Sequence, residues 1–264
     1  MNREATDLAG VRHLAYDTLG STNAEALALV RAGERGPLWV SAARQTAGRG
    51  RRGRAWVSEP GNLYVSLLLS DPAPVERVAE LSFVAALAAR DAIAEAVPVF
   101  APRLGFKWPN DVLLAGDKVA GILIEGEVTR GEPAMAVIGI GVNCVSHPAE
   151  AAFPATDLRA HGANIAPQGL LAGLSAALFK RLAQWDRGNG FGGIRGDWIA
   201  VAHPIGATVK VSDGGAEQTG RFAGLDATGR LLLDLADGTR REVAAGDVFP
   251  LTLRAGPRDS SLRD

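Results

Sequence analysis

The sequence predicts an α+β fold in which a large domain of helices and strands precedes a small β-barrel. Three observations lead to this prediction. Apolar residues recur at helical spacing in several segments, short β-type apolar runs lie between those segments, and the chain after residue 203 consists of short strands divided by Gly and Asp turns. A chain of 264 residues with 47% hydrophobic residues can build one large and one small core. We therefore place two domains at residues 1–203 and 204–264.

The first helix is predicted to begin at residues 21 to 23, because Thr22 and Glu25 have the spacing of a capping box. Two β-type runs follow it, WVSAARQ at 39–45 and NLYVSLLLS at 62–70. The stretch between these runs is dense in Gly and Arg, which predicts a loop that joins two strands.

A long helix with one buried face is predicted for residues 75–97, where apolar residues recur every three or four positions. Successive strands of one sheet are then predicted at 104–108, 111–114, 118–128 and 134–144. Helical periodicity returns at 169–187 and extends into GGIRGDWIAVA after a break at GNGFGG.

The segment after His203 and Pro204 contains four or five short strands with Gly and Asp turns, which is typical of an SH3-like barrel. Its acidic and basic residues nearly balance. A module without excess positive charge is a poor nucleic-acid binder, so this balance argues against that function.

Composition excludes several other classes of protein. The formal net charge is -1, so nothing in the overall charge favours a polyanionic partner. Cys144 is the single cysteine, which excludes an intramolecular disulfide framework and indicates a cytoplasmic protein. No apolar run is long enough to span a membrane. The four histidines lack the spacing of metal ligands, so no protein metal site is predicted.

The most unusual segment contains five arginines within eleven residues and no acidic residue. These are Arg44, Arg49, Arg51, Arg52 and Arg54. The interleaved glycines let the backbone wrap a ligand, and guanidinium groups bind phosphate or carboxylate oxygens in pairs. A site for a phosphate-bearing ligand is one interpretation, and a solvated surface or a nucleic-acid contact remains the alternative.

Two further segments are candidates. KWPNDVLLAGDKVAGILIE, at 107–125, places two lysines, a carboxylate and an amide in one hairpin, although each residue type is also ordinary in a turn or at a strand edge. GIGVN, at 139–143, has two glycines that allow a close backbone approach or simply pack in a strand. Neither a P-loop nor a GxGxxG motif that opens a helix is present.

Taken together, four segments resemble the biotin protein ligases. They are Ser21-Thr22-Asn23, GRGRRGRAW at 48–56, KWPNDV at 107–112 with Lys118 and Gly121, and GIGVN. The resemblance implies a biotin- and ATP-binding catalytic domain, with a mixed sheet flanked by helices as in class II synthetases, followed by the SH3-like domain. Bifunctional members carry an N-terminal winged helix-turn-helix, for which Ser21 comes too early. The resemblance is therefore to a monofunctional ligase.

The resemblance also implies roles for the residues that match. The biotin pocket would be lined by Ser21, Thr22, Asn23, Gln45, Gly48, Arg49, Gly121 and Leu123. The ATP and adenylate site would comprise Arg51, Arg52, Arg54, Trp56, Lys107, Asn110, Lys118 and Asn143. Catalysis is assigned to Lys118, Asp111 and Arg51. Lys118 would hold the biotin carboxylate and the α-phosphate, Asp111 would orient or deprotonate the attacking amine, and Arg51 would hold the adenylate. Thr22 is expected to cap its helix as well as to face biotin.

The implied activity is that of an ATP-dependent ligase. ATP and biotin are the substrates and Mg²⁺ assists, because positive charge must offset the repulsion between a carboxylate and a triphosphate. The implied partner is the biotin carboxyl carrier protein of acetyl-CoA carboxylase or a related carboxylase. The chain is expected to act as a monomer or homodimer, without specific DNA and without a membrane.

Two alternatives stay open. Lipoate and octanoate ligases resemble this fold, although their glycine-rich motif is replaced here by GRGRRGRAW. A nucleic-acid-binding protein could use the basic loop together with the SH3-like module.

Overall fold

A mixed sheet of nine strands lies at the centre of the part of the chain that the computed structural model describes, residues 3–8, 10–128, 133–151, 153–212 and 217–250. Its strands are β1 (Arg3–Leu8), β2 (Val11–Leu19), β3 (Leu38–Gln45), β4 (Leu63–Ser70), β5 (Leu104–Lys107), β6 (Asp111–Leu114), β7 (Asp117–Glu127), β8 (Met135–Val142) and β9 (Ala202–His203). Their spatial order is β1-β2-β3-β4-β8-β7-β6-β5-β9. β2 and β3 are parallel, as are β5 and β9, and the other pairs are antiparallel.

Helices cover both faces of this sheet. Side chains alternate between the faces along each strand, and the apolar side chains of each face pack against helices. The helices are α1 (Thr22–Arg31), α2 (Leu81–Ala96), α3 (Pro167–Trp185) and α4 (Phe191–Ile199). Leu38 and Val40 of β3 pack with Ala26 and Val30 of α1. Trp39, between them, packs in the larger cluster that contains α2 and α3.

The C-terminal part forms a separate antiparallel sheet, as expected for an SH3-like module. Its strands are β10 (Thr208–Ser212), β11 (Glu217–Leu225), β12 (Leu231–Asp234), β13 (Arg240–Val243) and β14 (Asp247–Pro250), in the order β13-β12-β11-β10-β14. This module packs against the central nine-stranded sheet and its helices. Trp108 Nε1 donates to the Gly229 carbonyl at 3.0 Å, and Arg195 Nη1 donates to the Leu225 carbonyl at 2.8 Å.

The hydrophobic core runs across both parts of the molecule. Phe222 and Leu233 of the C-terminal sheet are fully buried in the same cluster as Phe83 of α2 and Phe191 of α4. The rings of Phe83 and Phe191 meet edge to face, with their centroids 5.6 Å apart.

The predicted strands from 39 to 144 are confirmed. The helical segments predicted at 169–187 and in GGIRGDWIAVA are also confirmed, as α3 and α4. The strands β1 and β2 were not predicted. In β2 the buried residues are Val11, Leu14, Tyr16 and Leu19, a spacing that departs from strict alternation, so the period-2 signal is weak.

The predicted helix at 75–97 is correct over most of its length but wrong at its start. Val75–Glu80 form a 3-10 helix, and the α-helix begins at Leu81. The Glu80 side chain is drawn into the interior, where it accepts from Trp185 Nε1 at 2.7 Å and pairs with Arg77 at 2.9 Å. These tertiary contacts leave no trace in the apolar periodicity. Among the described residues, no helix is long and apolar enough to cross a membrane.

Candidate active site

A cavity of about 310 Å³ opens on the sheet where β7 and β8 meet the start of α1. Its walls include the loop between β3 and β4 and, from the C-terminal module, Asp247 and Phe249. The predicted site residues on its walls are Ser21, Thr22, Asn23, Gln45, Arg49, Arg51, Arg54, Trp56, Lys107, Asn110, Asp111, Lys118, Gly121, Leu123 and Asn143. The structure thus brings segments from between residues 21 and 143 to one place.

The start of α1 supplies three polar side chains to the cavity. Ser21, not Thr22, caps the helix: its Oγ lies 3.5 Å from the Ala24 amide that donates to it. The expected cap at Thr22 is therefore wrong, because the Thr22 hydroxyl is already engaged. It donates to Gln45 Oε1 at 3.2 Å and lies 2.8 Å from the Ser66 hydroxyl.

Asn23 is held in a fixed orientation at the base of the cavity. Its Oδ1 accepts from Ser66 at 2.6 Å, and its Nδ2 donates to Glu125 Oε2 at 2.9 Å and to the Leu123 carbonyl at 3.3 Å. Gly139 makes room for this amide, since a Cβ there would collide with Asn23 Oδ1. Ser66 is fully buried in β4 and was not predicted. A single Ser in an apolar strand gives no sequence signal of such a contact.

The Trp56 indole lies on glycines of β7 and β8. A Cβ at Gly121 would come within 2.9 Å of this ring, and one at Gly141 within 2.7 Å. The close approach expected for GIGVN is thus observed, with Trp56 as the neighbour. Gly48 does not line the cavity. A side chain there would meet the Trp56 carbonyl, and the Gly48 carbonyl accepts from the Trp56 amide at 2.9 Å.

Two lysines share one buried carboxylate at the edge of the cavity. Asp111 Oδ2 lies 2.7 Å from Lys107 Nζ, and Asp111 Oδ1 lies 2.6 Å from Lys118 Nζ. Burial raises the pKa of Asp111, but the charges of Lys118 and then Lys107 outweigh it and lower this pKa to about 2. Such a carboxylate stays ionised and is a weak base. Of the two roles expected for Asp111, this lowered pKa fits orientation of the amine better than acceptance of its proton.

Each of these lysines also faces an aromatic ring. Lys118 Nζ lies 5.1 Å from the Trp56 ring centroid, and Lys107 Nζ lies 4.6 Å from that of Phe153. Phe153 belongs to the segment after β8, which pairs with β7 because the Lys118 amide donates to the Pro154 carbonyl at 2.8 Å.

The two asparagines predicted for the ATP and adenylate site contribute in different ways. Asn110 Nδ2 donates to the Ile122 carbonyl at 2.6 Å, and Asn110 Oδ1 accepts from Arg51 Nη1 at 3.3 Å. Asn143 is buried, and its Nδ2 donates to the Thr156 carbonyl at 2.9 Å. It therefore also anchors the segment that carries Phe153.

The arginine loop, residues 46–57, contacts both sheets. Arg51 Nη1 donates to the Gly246 carbonyl at 3.3 Å, and burial lowers the pKa of Arg51 while Asp247 and Asp111 act in the opposite direction. Arg54 pairs with Asp247 at 2.8 Å. Arg52 does not line the cavity and donates to the Ser212 carbonyl at 3.3 Å. Arg44 lies outside the loop, on β3, and pairs with the exposed Glu59 at 3.7 Å.

Several lining residues were missed by the sequence interpretation. They are Tyr64, Pro148, Glu150, Ala151, Phe153, Ala155, Asp247 and Phe249. Most come from the segment after β8 or from β14, where nothing in the residue pattern marks a ligand site. Only the docking of these parts brings them to the cavity.

Two family models match the chain. The biotin/lipoate A/B protein ligase family matches residues 21–143, and the biotin protein ligase C terminal domain matches residues 205–249. The first match spans most of the residues on the cavity walls, and the second spans most of the C-terminal sheet.

Curated relatives are similar over most of the chain. The biotin–[acetyl-CoA-carboxylase] ligase of Paracoccus denitrificans is 42% identical over 235 residues, which cover 87% of this chain and 96% of the relative. The protein of the same name from Mycobacterium tuberculosis is 37% identical, with 88% and 86% covered. The bifunctional ligase/repressor BirA of Bacillus subtilis is 32% identical, with 91% and 74% covered.

Solved structures show the same architecture. The biotin protein ligase from Aquifex aeolicus in complex with biotin and ATP superposes with a TM-score of 0.73 at 27% identity, covering 90% of this chain and 97% of that one. The biotin protein ligase from Leishmania major in complex with biotinyl-5-AMP has a TM-score of 0.61 at 26% identity, covering 88% and 98%.

Proposed function

This chain belongs to the biotin/lipoate A/B protein ligase family, and on that premise we propose that it joins biotin to a lysine of a carrier protein in two ATP-dependent steps. The observation that carries the proposal is the meeting of Lys107, Lys118 and the arginine loop at one cavity. This concentration of cations suits a ligand pair that brings a carboxylate and a triphosphate together.

In the first step an oxygen of the biotin carboxylate attacks the α-phosphorus of ATP. The bond between the α- and β-phosphates breaks, and biotinyl-5'-AMP and pyrophosphate form. Lys118 lies where it can neutralise the charge that develops between the two anions. Its ammonium group is held in place by Asp111, whose Oδ1 lies 2.6 Å from Lys118 Nζ.

In the second step the carrier amine attacks the carbonyl of the mixed anhydride. The C–O bond to the phosphate breaks, AMP leaves with the bonding electrons on its phosphate oxygen, and the amine proton passes to solvent. A lysine amine has a reference pKa of about 10.4, so it must be deprotonated near neutral pH. With a pKa of about 2, Asp111 orients the attacking group instead of accepting this proton.

We propose that Asn23, Gln45 and their neighbours at the start of α1 bind biotin, and that Arg51, Arg54, Trp56 and Asn110 bind the nucleotide. The polar groups at the start of α1 line the cavity floor, which suits an uncharged ring system with its own donors and acceptors. Gly48 and Arg52, which lie off the cavity, act through the shape of the arginine loop.

Mg²⁺ neutralises phosphate charge when it is bound. Among the described residues no group of three His, Cys, Asp or Glu side chains could hold a metal, and Mg²⁺ in proteins is commonly bound through substrate phosphates and one or two carboxylates. Glu150 lines the cavity, and no lysine or arginine of the described residues forms an ion pair with it. We therefore propose that Glu150 is the carboxylate that holds Mg²⁺ together with ATP.

Lipoate is the alternative substrate within the same family. The match of residues 205–249 to the biotin protein ligase C terminal domain favours biotin. We further propose the domain division at 203/204, a monomer or homodimer, a cytoplasmic location and no role in DNA binding. The change from one sheet to the other between His203 and Thr208 supports that division.

Mass spectrometry with biotin, ATP, Mg²⁺ and a biotin carboxyl carrier domain tests the proposal. We expect the carrier to gain the mass of one biotinyl group, and a carrier whose acceptor lysine is replaced by Arg to gain none. Modification with lipoate in place of biotin, or no mass gain with either acid, would contradict it.

A further inference from the structure

Carboxylates from two different sheets hold the arginine loop at its two ends. At the first end, Arg49 Nη2 lies 2.9 Å from Glu125 Oε2 on β7. At the second end, Asp247 of β14 lies 2.8 Å from Arg54 Nη2 and 3.6 Å from Arg52 Nη1. The loop therefore bridges the central sheet and the C-terminal module.

Arg51, between these two ends, has no carboxylate of the described residues within ion-pair distance. Its Nη1 makes two bonds of 3.3 Å, to Asn110 Oδ1 and to the Gly246 carbonyl, both neutral acceptors. Bonds of this length are weak, and a charged oxygen binds a guanidinium more strongly than a neutral one does. An anionic ligand in the cavity can therefore replace these acceptors at Arg51 more readily than it can replace the carboxylates at Arg49 and Arg54.

The backbone at Arg52 indicates that this loop geometry is imposed from outside. Arg52 has φ 57° and ψ 32°, a left-handed conformation that is unfavourable for a residue with a side chain. Such a conformation persists where neighbouring contacts hold it. At Arg52 these contacts come from the C-terminal module, through Asp247 and the Ser212 carbonyl.

We propose that Glu125 and Asp247 are positioning residues, which hold the arginine loop over the cavity from its two ends and thereby leave Arg51 for the anionic ligand. The identity of that ligand as biotinyl-5'-AMP rests on the proposed function. The role of Asp247 gives the C-terminal module a part in retaining the reaction intermediate, although none of the lysines and arginines described in this module lines the cavity.

Two variants and two matched controls test the proposal. Glu125→Gln and Asp247→Asn each remove one negative charge at nearly constant volume. Glu127→Gln removes the carboxylate two residues further along β7, which pairs with Arg31 at 3.0 Å. Asp234→Asn removes a carboxylate of the same module that pairs with Arg221 and Arg240, both at 2.6 Å, away from the loop.

The first measurement needs no ligand. Trypsin cleaves after arginine, so the rate of native-state cleavage after Arg49, Arg51, Arg52 and Arg54 reports how often the loop opens. We expect Glu125→Gln and Asp247→Asn to be cleaved about fivefold faster than the parent, because an ion pair of this exposure contributes at most about a tenfold effect. The two controls should be cleaved at the parent rate.

The second measurement is the rate at which preformed biotinyl-5'-AMP leaves each variant. We expect about fivefold faster release from Asp247→Asn, parent-like release from the controls, and partial recovery in Asp247→Glu. Release from Glu125→Gln is interpreted together with its cleavage rate, because Glu125 Oε2 also accepts from Asn23 of the proposed biotin site. Should Asp247→Asn fold poorly, Arg54→Gln removes the same ion pair from the exposed side and should show faster cleavage after Arg51 and Arg52.

Each failure has its own signature. If the parent forms no biotinyl-5'-AMP, the proposed function is wrong, and the cleavage rates still judge the role of the two carboxylates. If the parent forms it but the variants are cleaved and release it like the controls, Glu125 and Asp247 do not position the loop.

Discussion

Lys107, Asp111 and Lys118 carry two positive charges and one negative charge, which leaves a net charge of +1 in a largely buried place. An uncompensated buried charge is unfavourable, because the protein solvates it less well than water does. An anion that binds between Lys118 and the arginine loop removes this penalty. These three side chains therefore suit a negatively charged group, and we expect their charge imbalance to contribute to its affinity.

Replacing Lys118 tests whether its charge serves mainly the reaction rate or mainly the binding of ATP. We expect Lys118→Ala to slow adenylate formation about 100-fold or more, since an electrostatic contact that strengthens in the transition state contributes roughly that much. ATP affinity should fall by less than about tenfold. Pre-steady-state measurement of biotinyl-5'-AMP formation, beside equilibrium ATP binding, gives both quantities. The exposed Lys180 of α3 serves as control through Lys180→Ala, and equal losses of rate and affinity would contradict the assigned role.

The lowered pKa of Asp111 predicts an acid-dependent contribution to stability. The folded pKa of about 2 lies below the reference value of 3.8, so the contribution is complete above pH 3.8 and is lost as the pH falls toward 2. This difference corresponds to about 2 kcal/mol of unfolding free energy. Urea unfolding at pH 5, 3 and 2 measures how the unfolding free energy falls with pH. We expect it to fall less in Asp111→Asn than in the parent, by about that amount. A parent and a variant with the same pH dependence would show that Asp111 makes no such contribution.

At the scale of elements, β4, β7 and β8 form the floor of the cavity, and glycines make that floor flat. Gly139 accommodates the Asn23 amide, and Gly121 and Gly141 accommodate the Trp56 ring. The site therefore depends on the absence of side chains in the middle of two buried strands. Strand glycines normally weaken a sheet, so these positions lose local stability and make room for the Asn23 and Trp56 side chains.

A methyl group at Gly139 would displace the Asn23 amide from Ser66 and Glu125. We expect Gly139→Ala to weaken biotin binding at least about tenfold and to lower the unfolding free energy by about 1 to 3 kcal/mol, as overpacked cores do. Gly173, inside α3, has open space around it, so Gly173→Ala should keep its biotin affinity and gain about 0.5 to 1 kcal/mol. Calorimetric titration and thermal unfolding check both variants. Unchanged biotin binding in Gly139→Ala would exclude Asn23 from the biotin site.

The elements that sequence could predict are those with a local signal. The periodicity of α2 and α3, the β-type runs of β3, β4 and β8, and the grouping of arginines and glycines all follow from neighbouring residues. The sharing of Asp111 by two lysines could not be predicted, because it depends on how β6 and β7 pair across a bulge at Val112. Phe153 and Asp247 reach the cavity only through tertiary packing, which a single sequence does not encode in any local pattern.

At the scale of the whole molecule, positive charge is concentrated at the cavity while the total charge is close to zero. Arg49 pairs with Glu125, and Arg52 and Arg54 share Asp247, so two carboxylates offset half of the positive charge of the four arginines in the arginine loop. The part of the chain described before Ser21 forms strands of the central sheet. The distribution of charge therefore fits a small anionic ligand in a pocket better than a nucleic acid on a surface.

This distribution predicts weak binding to DNA. On a heparin or DNA column at about 50 mM salt the protein should elute in or near the flow-through, and its retention should change little up to about 200 mM. A basic DNA-binding domain run in parallel provides the control. Firm retention that falls steeply with salt would instead indicate several phosphate contacts and would favour the nucleic-acid alternative.

The continuous core that joins Phe222 and Leu233 to Phe83 and Phe191 bears on how the protein unfolds. Separating the two parts would expose large aromatic surface to water, at roughly 25 cal/mol for each Å² of apolar area. Gly229 also packs against the Phe83 ring, so the β11–β12 turn is seated directly on α2. We therefore expect the C-terminal sheet to unfold together with the central sheet. Differential scanning calorimetry should record one cooperative heat-absorption peak, with equal calorimetric and van't Hoff enthalpies, for a chain that has two sheets.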